Sequence, residues 1–337
     1  MTEPRDVHEL PRRWRLRLAV LGSLTAAVGA FVVVVITSLH LAPGASPAVR
    51  TTLLTVRQVG ELATPVQSAA GVPPETGVGI VVVGGLNQAG AAVDAVQQFA
   101  GSKASVLGLL PSAVRSAGAV QIGSTAYLLG GVGSPGGAAI LSLPNGPGAP
   151  AKQVAALTRP VSDFAAASLD GEAYVLGGFT GQQPTAAIYS WAPGGAVHPT
   201  AHLPSRLLYD AAVAVNHQVI IIGGIVNGAP TRAILSFDPV LHRVTTIGQL
   251  PVPIARAAVG VIDGEIFVVG GRVNGPTSQT RAIYRVDPTT GTASYAGALP
   301  VPLSDIAIAS TGGKLLVAGG VNRSGVVQGA IYELSEP

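Results

Sequence analysis

The chain has 337 residues, of which 48% are hydrophobic and 11% charged; that balance excludes a disordered polymer and supplies apolar surface for a large core. Its net charge is +3, but Arg5, Arg12, Arg13, Arg15 and Arg17 against Glu3, Asp6 and Glu9 put +2 of it into the first 17 residues, so the rest has no basic stripe for nucleic acid to track. No cysteine occurs, which removes thiol catalysis, cysteine-ligated metal and disulfides.

Residues 1–17 form a basic tail. Residues 18–42 (LAVLGSLTAAVGAFVVVVITSLHLA) carry no Lys, Arg, Asp or Glu. As a helix they would reach about 37 Å, enough to cross a hydrocarbon core of about 30 Å with some tilt. We read this segment as a transmembrane signal anchor; a cleaved signal peptide, with its shorter apolar region of about 7–15 residues, is the alternative. Arg12, Arg13, Arg15 and Arg17 on one side against Arg50 on the other place the N-terminus in the cytoplasm and the remainder outside the cell membrane. Residues 43–50 (PGASPAVR) make a short linker.

From residue 51 to the end the sequence repeats. Gly-Gly doublets stand at Gly84, Gly130, Gly177, Gly223, Gly270 and Gly319, each closing a short apolar run, as in GEAYVLGG or HQVIIIGG. Steps of 46–49 residues fit a four-stranded propeller blade. The non-alternating apolar runs are second strands covered on both faces. The doublets mark a positive φ or a close backbone approach.

Small-residue first strands precede them, at Ser116, Phe164, Ala211, Ala257 and Ile306. Third strands follow at Ala139, Ala187, Ala233, Ala282 and Ala330, and fourth strands close on Leu110, Leu157, Leu203, Leu250 and Leu299. The sixth repeat lacks a fourth strand, whereas Val59-Gly60-Glu61-Leu62 matches Ile247-Gly248-Gln249-Leu250. The expected fold is therefore all-β, a six-bladed propeller in which the N-terminal segment supplies the outer strand of the last blade and closes the ring.

These repeats resemble kelch motifs, in which a Gly-Gly doublet ends strand two, a Tyr follows in strand three and a Trp in strand four; the resemblance to the galactose oxidase/kelch-like propellers covers residues 51–337. Tyr189, Tyr284 and Tyr332 hold the tyrosine position, Leu141 and Leu235 replace it, and the fourth-strand Trp is absent throughout. The resemblance implies that ligands meet the face built by the loops joining strands four to one and two to three. Those loops carry the candidate ligand-binding residues Arg115, Asp163, Arg206, Tyr209, Asp210, Arg256, Arg272 and Asp305.

Asp163, Asp210, Arg256 and Asp305 stand 13 or 14 residues before their doublets and are expected to ring the channel mouth. There they either grip a polar ligand or pair with one another and close it. No nucleophile, base and metal assemble in the sequence. Galactose-oxidase copper chemistry lacks its cysteine, and Gly131–Gly136 matches G-x-G-x-x-G without the strand-to-helix context that gives it meaning. The expectation is a non-catalytic, cofactor-free scaffold for an envelope protein or peptide. The alternative is a carbohydrate-active, sialic-acid mutarotase-like propeller with a glycan ligand.

Overall fold

A computed structural model describes residues 52–101, 103–144, 146 and 148–337. The tail, the expected membrane span and the linker lie outside the described residues. Among the described residues, no helix is long and apolar enough to cross a membrane.

Six four-stranded antiparallel sheets follow one another as blades. Blade I runs Ala70–Val72, Ile80–Val83, Ala95–Ala100 and Lys103–Leu109; blade IV runs Ala211–Val215, Gln218–Ile222, Ala233–Asp238 and Arg243–Gln249. Blade VI pairs Ala307–Thr311, Lys314–Ala318 and Ala330–Ser335 with an outer strand, Thr55–Glu61, from the far end of the chain. The five third strands expected from sequence begin at their expected alanines. The fourth strands stop one residue short of the expected leucines, which turn inward and are buried.

The N-terminal closing strand matches in detail. Each third-to-fourth strand pairing contains one bulge; in blade IV the skipped residue is Ile247, and in blade VI it is Val59. Leu62 then donates its N–H to Gly329 O as Leu250 does to Arg232 O.

The cores lie between blades. Each buried cluster joins two neighbours: Val81 and Val83 pack with Leu128 of blade II, whereas Ile80 and Val82 pack with Leu316 of blade VI. Successive residues of one second strand thus bury themselves against opposite neighbours, which is why those runs do not alternate. Trp191 packs edge-on against Tyr127 at 5.0 Å, which joins blades II and III.

The doublets fasten the blades together. Both glycines of Gly223-Gly224 have positive φ, 64° and 97°. Gly224 N–H donates to Ile254 O on the chain entering the next blade, at 2.8 Å, and a Cβ on Gly223 would strike that same carbonyl. The other five doublets repeat this arrangement, so the glycines serve left-handed geometry and close approach at once.

First strands line a central channel with small side chains, among them Gly71, Ala119, Ala166, Ala212 and Ala309, enclosing about 510 Å³. The four-to-one and two-to-three loops stand at one end of it, called here the ring face; the tight hairpins, and Thr52 where the described chain begins, stand at the other.

Candidate functional site

At the ring-face end of the channel each blade contributes one residue in left-handed conformation: Ser68, Ser116, Asp163, Tyr209, Arg256 and Asp305, with φ between 52° and 59°. None is a glycine, so the backbone strain has to be held by surrounding structure. What holds it is a closed hydrogen-bonded circuit. Ser116 N–H donates to Ser68 O, Asp163 to Ser116, Tyr209 to Asp163, Arg256 to Tyr209, Asp305 to Arg256, and Ser68 back to Asp305, at 2.9–3.1 Å. A left-handed residue projects its amide and carbonyl to opposite sides, which lets one residue per blade link both neighbours.

This geometry corrects one expectation. Tyr209, not Asp210, holds blade IV's place in the ring, because ring residues of blades II to VI stand 14 positions before the first glycine of the doublet and Asp210 stands 13 before. Asp210 occupies the following position, filled in the other blades by Ala69, Ala117, Phe164, Ala257 and Ile306. There the Cβ packs over the second doublet glycine, Gly224 for Asp210 and Gly178 for Phe164. Asp210 is buried and neither carboxylate oxygen has a partner among the described residues. Burial pushes its pKa up to about 8, against a smaller lowering by its own backbone N–H. Asp210 still lines the small cavity at the mouth, as the sequence suggested, but with both carboxylate oxygens buried its side chain is held toward the neutral acid.

Asp305 is the organising charge. Its side chain is only 4% exposed. Oδ1 accepts from Arg256 Nη1 at 2.6 Å and Ser68 Oγ at 3.3 Å, while Oδ2 accepts from Arg272 Nη2 at 2.8 Å and Ser304 Oγ at 2.6 Å. The guanidinium carbon of Arg256 sits over the Tyr209 ring, 3.4 Å from its centroid. Burial lowers the Arg256 pKa, but Asp305, Tyr209 and Asp163 around it outweigh that and raise it. Burial likewise raises the Tyr209 hydroxyl, with Arg256 opposing and Asp163 and Asp305 adding. Ser162 Oγ donates to Asp163 Oδ2 at 2.8 Å.

The cavity among these groups measures about 110 Å³, room for a few waters at about 30 Å³ each. Of the candidate residues, Asp163, Tyr209, Asp210, Arg256 and Asp305 line it; Arg272 reaches in from its loop to Asp305. Arg115 is half-buried at the edge and Arg206 is exposed on the outer rim, held to Gln183 Oε1 at 2.8 Å, so neither lines this cavity. Two asparagines of the two-to-three loops serve their own turns: the side chains of Asn87 and Asn322 each accept two loop amides.

The Kelch motif family matches residues 253–292, spanning the ring residue Arg256, a doublet and a third strand. The chain folds as a six-bladed kelch-type propeller. A solved structure, "Structure of YjhT", shares that fold with a TM-score of 0.66 at 15% identity, across 80% of this chain and 95% of its own. No curated protein matches the sequence. Within the kelch propeller, the missed feature of the site was the partnership of Asp305 with Arg272 of the preceding blade's two-to-three loop. No local motif signals it, since 33 residues separate the two.

Proposed function

We propose that this kelch propeller is a non-catalytic binding scaffold, anchored outside the cell membrane by its N-terminal segment, that presents its ring face to an envelope protein or peptide. The closed mouth carries the reading. Both oxygens of Asp305 are committed to Arg256, Arg272 and neighbouring hydroxyls, and the carboxyl of Asp210 is sealed. The remaining space of about 110 Å³ is well below the roughly 300–1,000 Å³ of ordinary small-molecule sites. Charges matched internally give a rigid platform rather than an acid and base facing a substrate.

The test is crosslinking of the full chain in native membranes, beside assays of sialic-acid anomer interconversion. A protein captured through ring-face loops, with no acceleration of anomer exchange, supports the scaffold. Exchange catalysed by the wild type and lost in Asp163→Asn would replace it with the sugar-active alternative.

A further inference from the structure

The charges of the propeller are sorted by face. Six of the chain's 20 Lys and Arg and three of its 17 Asp and Glu precede residue 52, leaving 14 of each sign. The ring-face loops and strand ends hold eight of the basic residues, every one an arginine, against five acids: Glu61, Asp94, Asp163, Asp210 and Asp305. All three lysines beyond residue 52, Lys103, Lys152 and Lys314, and nine of the acids lie toward the hairpin face. A propeller neutral in sum thus carries about +3 on one face and about −3 on the other, and burial that favours the neutral form of Asp210 makes the ring face more positive still.

Arg256 and Arg272 are neutralised by Asp305. The remaining six, Arg115, Arg159, Arg206, Arg232, Arg281 and Arg323, have no carboxylate partner among the described residues. They are spread around the ring, the first three in the junctions I–II, II–III and III–IV and the last three in the two-to-three loops of blades IV, V and VI. All but the half-buried Arg115 are exposed. Three are held by a single nitrogen on a neutral oxygen: Arg206 on Gln183, Arg232 on Leu250 O at 2.6 Å, and Arg323 on Gln279 O at 2.7 Å. That fixes the side chain while leaving most of its five donors unused.

We infer that the ring face binds an acidic protein surface, whose Asp and Glu carboxylates pair with this circle of arginines; the inference rests on the scaffold reading above. Arginine's planar fork matches a carboxylate two bonds at a time, and its exclusive use on this face is chemically selective where lysine would give only a point charge. The circular layout favours a folded protein surface over a phosphate polymer. A protein can set carboxylates around an annulus, whereas a polyanionic strand crossing the face would run over Asp163, an acid within the mouth.

The experiment uses the full chain in detergent, with photo-crosslinkers placed either at Gln183 on the ring face or at Val240 on a hairpin, and poly-L-glutamate as a defined probe. We expect a partner crosslinked from Gln183 through an Asp/Glu-rich segment, displaced by poly-L-glutamate. Binding should fall at least about tenfold in Arg159→Glu/Arg206→Glu/Arg281→Glu, and by a smaller factor with the same three changes to Lys, which keep the charge but lose the two-bond fork. All three sites are exposed, so an unchanged melting curve confirms that the variant folds.

A ring-face partner that binds the Glu variant as well as wild type overturns the inference and leaves the scaffold standing. Capture only from Val240 overturns the inference and moves the scaffold's face. If nothing is captured from either position the scaffold reading fails with it. Tighter binding of inorganic polyphosphate or oligo-dT than of poly-L-glutamate overturns it in favour of a phosphate polymer.

Discussion

Asp210 should make the propeller less stable as pH rises, and Asp210→Ala should abolish that dependence. Its carboxyl titrates near 8 when folded against 3.8 for an unburied aspartate. A carboxyl raised in the folded state contributes most below its unfolded pKa; that contribution is lost progressively as pH rises to the folded value. At about 1.4 kcal/mol per unit, the cost of keeping the acid neutral is about 2 kcal/mol at pH 5 and about 4 kcal/mol at pH 7, and it levels off above about pH 8.

Alanine is what blades I, II and V hold at this position, so the replacement fits the local packing. Urea denaturation of the full chain should therefore show the variant gaining about 2–3 kcal/mol relative to wild type between pH 5 and pH 7. Asp210→Asn, close in shape but without the proton, should lose the same slope. A gap between wild type and either variant that stays constant across this range would refute the assignment of Asp210 as a sealed, neutral acid.

Gly223→Ala should cost at least about 2 kcal/mol, because its φ of 64° is unfavourable to a side chain and the Ile254 carbonyl blocks the Cβ. Gly264→Ala, with φ 83° but open space around it, should cost only about 1 kcal/mol by the same urea measurement. Asp305→Asn should destabilise by about 3 kcal/mol, since it strips the shared carboxylate from Arg256 and Arg272; Asp163→Asn, with a single hydroxyl partner, should cost about 1 kcal/mol.

The parts of this fold set by backbone geometry were legible in the sequence. A Gly-Gly doublet is demanded by two successive positive φ values and a carbonyl packed against the first glycine, so it recurs at every blade and reveals the period. The orphan Val59–Leu62 was legible for a related reason: its bulge and inward-turning leucine repeat those of Ile247–Leu250. The ring was not legible, because a hydrogen-bonded circuit through backbone atoms places little demand on side-chain identity. Ser, Asp, Tyr and Arg all serve, and counting back from the doublet left Tyr209 and Asp210 one residue apart. Blade I hides its ring residue further, since the longer hairpin around Pro73–Gly77 shifts Ser68 to 16 positions before Gly84. The ion pairs of Asp305 join residues 33 and 49 positions away, and the facewise sorting of arginine and lysine emerges only once alternate loops are known to share a face.

Hydrogen–deuterium exchange of the full chain, alone and with its crosslinked partner, reads out which face of the propeller the partner covers. New protection is expected only in ring-face loops, around residues 180–185, 204–209, 272–281 and 321–328, with the hairpins near 216–217 and 239–242 unchanged. Protection on the hairpins with the ring-face loops unaltered would contradict that expectation.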